Sequence, residues 1–232
     1  MACGGNGRLL AVVTAAAAIA ALTLTALVAV SGAPLPGDVR WARFIQAQSS
    51  FATIANLVNF IGDWNWLLFA VFVLTLAATA RPWRRGLPSA PYREALGGLV
   101  TVIALRFFDQ LLKFLLQSPR PSGVDGIRLD GAFGSYGFPS GHVYGDVVFL
   151  GAMAVYALFK LPPLLRLATR LLLIAFIILA GPARVYVGAP RPSDVMGGYL
   201  WGVAVLGLGI LIGQWAPSAN FGCRDRHHEL AP

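Results

Sequence analysis

The chain has 232 residues, 57% of them hydrophobic and only 12% charged, with a mean hydropathy of +0.68. A water-soluble domain carries about a quarter charged residues, so this composition excludes one and specifies a membrane protein. Cys3 and Cys223, near opposite ends, provide neither a disulfide framework nor a CxxC metal site. The net charge of +8 is scattered between apolar runs rather than gathered on one face, which argues against nucleic-acid binding and for a role in membrane orientation.

The first apolar run, residues 9–33, carries no charge and is long enough to cross a hydrocarbon core of ~30 Å at ~1.5 Å per residue. Arg8 precedes it and Ser31, Gly32 and Ala33 close it, as in a signal peptide, but it exceeds the usual apolar length of one, so a retained span is expected. From Pro34 to Asp63, Trp41, Phe44, Ile45, Phe51, Ile54, Val58 and Ile61 recur at helical spacing among Asp38, Arg40 and Arg43. The pattern predicts an amphipathic helix within 38–62, either lying in the membrane interface or packed on the bundle as a connection. A second span over 64–80 opens on Trp64 and Trp66, an aromatic pair of the headgroup-level type. Arg81, Arg84, Arg85 and Arg93, interleaved with prolines, then form a basic loop. Further spans are expected over 95–117, 142–159, 171–187 and 195–215. The fold class is therefore all-α: one polytopic membrane domain, residues 1–232, with six transmembrane helices and no internal repeat.

With both termini in the cytoplasm, Arg8, the four arginines of 81–93, Lys160, Arg166, Arg170, Arg224 and Arg226 lie inside. Arg40, Arg43, Arg120, Arg128, Arg184 and Arg191 lie outside, a modest bias that strengthens if some of them serve a site.

Three segments place polar residues at that outer end. In KFLLQSPRP, Lys113 closes the third span and Arg120 and Pro121 follow; alone, such a lysine would snorkel to the interface. FPSGH, Phe138 to His142, opens the fourth span, where a Ser-Gly pair offers either an anion site at a helix N-terminus or simply a Ser140 cap. ARVYVGAPRPSD, Ala183 to Asp194, puts Arg184 at the end of the fifth span and Asp194 at the start of the sixth. Two guanidiniums, an ammonium and a helix N-terminus at one membrane face, beside a histidine and a carboxylate, suit a doubly charged oxyanion such as phosphate.

The order and spacing of these residues resemble the three-part signature of the type 2 phosphatidic acid phosphatase superfamily: Lys, six residues, Arg-Pro; Pro-Ser-Gly-His; then Ser-Arg, five residues, His, three residues, Asp. That family also includes undecaprenyl-pyrophosphate phosphatases, glucose-6-phosphatases and vanadium haloperoxidases. The resemblance implies that Lys113, Arg120 and Arg184, with Ser140 and the backbone of Gly141, grip a phosphate. It implies that His142 protonates the leaving group and Asp194 orients a nucleophilic histidine, with no metal or other cofactor. It also implies a multi-pass plasma-membrane protein, its active-site pocket at the outer face and its partner a lipid phosphate or pyrophosphate. This chain departs from the signature at the nucleophile, where Pro190 stands, and at the preceding serine, replaced by Ala183. His227 and His228 fall on the opposite face by the topology above. The readings are a lipid phosphatase, a catalytically silent lipid-phosphate binder, or a structural or transport protein whose polar residues line a cavity.

Other polar residues have structural explanations. Asp109 lies on one helix face with Arg106 and Lys113 and can neutralise them; Asp146, one turn past His142, reads as a buried structural carboxylate. Gly197, Gly198, Gly202, Gly207, Gly209 and Gly213 predict close helix packing, within the chain or between chains. Headgroup choice falls to the loop 122–137, and oligomeric state leaves no pattern.

Overall fold

A computed structural model describes residues 3–32, 34–63, 108–130, 136–157 and 161–215. The expected span 64–80, the basic loop 81–93, the start of the third span and the C-terminal tail with its two histidines lie outside the described residues.

Every regular element among the described residues is helical: α1 (Cys3–Ser31), α2 (Asp38–Gln46), α3 (Ala52–Asp63), α4 (Phe108–Leu116), α5 (Gly141–Ala152), α6 (Pro163–Tyr186) and α7 (Pro192–Trp215). Helices are what an apolar run must form in hydrocarbon, where each backbone N–H and C=O needs a partner within its own segment. Three are long and apolar enough to cross a membrane: Gly7–Ser31 in α1, Pro163–Tyr186 in α6 and Pro192–Ile212 in α7. The shorter apolar α5 continues into a π-helical turn, Met153–Ala157.

Two expectations shift. The amphipathic stretch is two helices rather than one: the chain leaves helical geometry at Gln48 (φ −81°, ψ 82°), and Ser49–Phe51 forms a 3-10 turn before α3. Serines favour such breaks because their hydroxyls compete for backbone partners. The expected fifth span, now α6, begins at Pro163, eight residues before its expected start at 171. Proline suits the first helical turn. Two arginines of this first part of the helix, counted above among the inside charges, are tied to carbonyls, Arg166 donating to Leu161 O at 2.9 Å and Arg170 to Ala154 O at 2.9 Å.

The glycines of α7 pack within the chain. A Cβ at Gly202 would lie 2.7 Å from Val147 Cβ on α5, one at Gly198 would lie 2.8 Å from the Ser140 carbonyl, and Gly207 faces Thr14 of α1. On the same flank the Trp201 indole donates to the Thr25 hydroxyl at 3.1 Å, so α1 and α7 run antiparallel. Tyr144, Val148, Phe149, Trp201 and Val205 fill the core between these helices. This packing draws the end of α6 and the starts of α5 and α7 to one end of the bundle, which α2 crosses.

Candidate active site

Lys113 lies in the last turn of α4 and is 8% exposed, so it does not snorkel out. Its ammonium sits 3.5 Å from the carboxylate of Asp109, one turn earlier and fully buried. Both groups press on the start of α5: a methyl group added at Gly141 would lie 2.7 Å from Lys113 Nζ and 2.6 Å from Asp109 Oδ2. Only a residue without a side chain lets this pair reach the helix end. Arg106 lies outside the described residues.

Ser140 is the N-cap of α5, but its side chain makes no capping hydrogen bond, so the plain capping reading fails. Its amide donates to the Asp194 carbonyl at 2.9 Å, joining the second and third motifs through backbone. Gly141 and His142 open α5 and are half-buried. First-turn amides have no intrahelical acceptor and stand at the positive end of the helix dipole.

Arg120, in the loop after α4, donates to Ala189 O at 2.6 Å and so reaches the α6–α7 connection. Burial pushes its guanidinium below the ordinary arginine range, the nearby Asp194 carboxylate pulls it up, and Arg184 pushes it down. These three side chains therefore share one electrostatic environment. Arg184, in the last turn of α6 and 7% exposed, donates to Asn59 Oδ1 at 3.3 Å. Asn59 is fixed in turn by its amide bonds to Ala55 O at 2.9 Å and Ala183 O at 2.8 Å.

The connection turns through Gly188, whose φ of +76° favours glycine, and places Pro190 in the buried interior. Asp194, 1% exposed, accepts from the Arg191 amide through Oδ2 at 2.8 Å, while its Oδ1 has no hydrogen-bond partner. A histidine is the donor such an oxygen commonly finds, and proline has none to give. Among the described residues no group of three or more His, Cys, Asp or Glu side chains is placed to hold a metal ion. Asp146 is 2% exposed on the inner face of α5.

Three contributors escaped the sequence reading. Asp38, at the start of α2, accepts from the Ser193 amide at 2.9 Å and the Ser193 hydroxyl at 2.7 Å, capping α7 from a distant segment. Asn59 supports Arg184. Arg191, counted by its sequence only as an outer charge, is 3% exposed: it donates to the carbonyls of Pro119 and Arg120, the latter at 3.2 Å, and lies 3.5 Å from Asp125. Its Arg-Pro pairing, like that of Arg120 with Pro121, was the one available signal.

The structure aligns with a crystal structure described as the first transmembrane PAP2 type phosphatidylglycerolphosphate phosphatase from Bacillus subtilis. The TM-score is 0.65 at 20% identity, over 84% of this chain and 93% of that one, a likeness of fold. No curated protein matches the chain. The family model of the PAP2 superfamily matches residues 94–217, a segment that holds all three motifs and more than half of the sequence. The chain is a membrane protein of the PAP2 superfamily.

Proposed function

We propose that this chain binds a lipid phosphate or pyrophosphate at the membrane interface, in a cradle of Lys113, Arg120, Arg184, Ser140 and the amide of Gly141. What supports this reading is that Lys113 lies against Gly141 in the first turn of α5, while Arg120 feels the charges of Arg184 and of Asp194, whose carbonyl accepts from the Ser140 amide. Charged side chains gathered at a membrane face commonly mark a binding site. The apolar spans of α6 and α7 end and begin at Tyr186 and Pro192, beside the cradle, which favours a substrate whose phosphate lies at headgroup depth.

On this scaffold the reaction is a metal-independent phosphoryl transfer. A nucleophile at position 190 forms a bond to phosphorus as the bond to the leaving oxygen breaks, and His142 gives that oxygen its proton. Asp194 orients the nucleophile, and the cations offset charge on the remaining phosphate oxygens. Pro190 supplies no attacking atom, so the chain as written keeps the cradle and the acid but lacks the covalent step. Loss of a nucleophile costs about six orders of magnitude in the serine-protease case. The same reading sets the site at the outer face of the plasma membrane, with both termini in the cytoplasm.

The test is phosphate release from phosphatidic acid, phosphatidylglycerol phosphate and undecaprenyl pyrophosphate in detergent without added metal, comparing the native chain with Pro190→His. The expected result is turnover by Pro190→His, at least ~10³-fold above the native chain, and lost again in Pro190→His/His142→Ala. Equal turnover by the native chain would overturn the assignment of position 190. Absence of both turnover and lipid-phosphate binding in either form would overturn the reading of the site.

A further inference from the structure

The outward face of α2 belongs to none of the machinery above. Its depth is set by what it touches. Six residues separate Asp38 from the end of the α1 span at Ser31. Asp38 bonds to Ser193 in the first turn of the α7 span. At the other end of α2, Gln46 donates to the carbonyl of Tyr186, where the α6 span stops, at 3.0 Å. Three membrane-crossing segments therefore terminate at this short helix, which puts it in the headgroup layer.

While Asp38, Ala42 and Gln46 face the protein, Arg40, Trp41 and Phe44 face away. Trp41 is 59% and Phe44 57% exposed, and their rings meet edge to face at 5.8 Å. Arg40 is exposed and makes no hydrogen bond or ion pair among the described residues, in contrast to Arg43 one turn along, which donates to Asp125 O at 2.6 Å. Among the described residues, Arg40, Trp41 and Phe44 line a cavity of about 300 Å³. A free guanidinium matches a phosphate in fork geometry, and amphipathic aromatic rings favour the boundary between headgroups and acyl chains.

We infer that Arg40, Trp41 and Phe44 form a docking surface for an anionic phospholipid of the surrounding bilayer, separate from the phosphate cradle. Charge complementarity selects an anionic lipid, and the depth fixed by α1, α6 and α7 selects the bilayer over a soluble anion. The inference rests on the membrane-spanning fold and is independent of whether the cradle binds or turns over substrate.

The experiment uses the full chain in lipid nanodiscs, pure phosphatidylcholine or with phosphatidylglycerol added. The difference in tryptophan fluorescence between the native chain and Trp41→Phe reports Trp41. This component is expected to be quenched by lipids spin-labelled at the headgroup and shielded from aqueous iodide. Preference for spin-labelled phosphatidylglycerol over phosphatidylcholine is expected to fall at least twofold in Arg40→Gln, to return in Arg40→Lys, and to persist in Arg120→Ala. Iodide quenching of Trp41 as free as that of tryptophan in solution would overturn the inference. Shielding from both quenchers would also overturn it, since a protein surface such as a second copy of the chain would then cover the face. Loss of lipid preference in Arg120→Ala but not in Arg40→Gln would assign the anionic lipid to the cradle instead.

Discussion

Asp38 and Ser193 stand 155 residues apart in sequence, yet the Asp38 carboxylate takes both the amide and the hydroxyl of Ser193. The first turn of α7, which carries Asp194, is thereby capped by the segment that follows α1. Asp38→Ala removes both acceptors from a buried site and should cost about 1–3 kcal/mol, read as a lower unfolding midpoint in detergent. Asp38→Asn keeps one acceptor oxygen and should recover part of that loss. An unchanged midpoint in Asp38→Ala would show that α7 does not depend on this cap.

Arg120 reaches from the loop after α4 to Ala189 and shares its surroundings with Asp194 and Arg184. Arg120→Ala should weaken binding of phosphatidic acid at least tenfold, about 1.4 kcal/mol, measured by titration in detergent. Arg120→Lys keeps the charge but cannot reproduce a planar two-point contact, so an intermediate affinity is expected. Unchanged affinity in Arg120→Ala would remove this residue from the cradle.

The proposed cradle can be read from sequence because its members sit at fixed spacings within short motifs: Lys113 with Arg120, Ser140 with His142, Arg184 with Asp194. Long apolar runs likewise made α1, α6 and α7 readable as spans, since length and absence of charge are local properties. What stayed hidden was support arriving from far along the chain. Asn59 meets Arg184 across 125 residues, and nothing near either residue announces the pairing. Arg191 looked like a solvated loop charge because its acceptors are mainly backbone carbonyls, which every residue possesses. The break between α2 and α3 was missed because apolar residues keep helical spacing on both sides of Gln48.

Two glycines separate site geometry from fold stability. At Gly141 an added methyl meets the mobile ends of Asp109 and Lys113, which can move aside, whereas at Gly198 it meets the Ser140 backbone and Val143 Cβ at 3.1 Å. Gly141→Ala should therefore leave the unfolding midpoint nearly unchanged but lower lipid-phosphate affinity several-fold by displacing the ammonium. Gly198→Ala should force α5 and α7 apart and cost about 1–3 kcal/mol. Equal stability losses in the two variants would show that the Asp109–Lys113 pair is as rigid as backbone.

Arg191 ties the loop after α4 to the start of α7 through the carbonyls of Pro119 and Arg120 and the carboxylate of Asp125. No other residue type offers a fork of donors that spans two carbonyls and a carboxylate at once. Arg191→Ala strands these acceptors and should cost roughly 2–4 kcal/mol, below the figure for a fully buried pair because Asp125 is partly exposed. Arg191→Lys can satisfy only part of the set and should recover less than half of that loss. Because Arg120 sits on the tethered loop, both variants should also weaken phosphate binding, with Arg191→Lys the more informative. If it restores stability fully while binding stays weak, Arg191 contacts the ligand directly; if stability and binding fall and recover together, it acts through the position of Arg120.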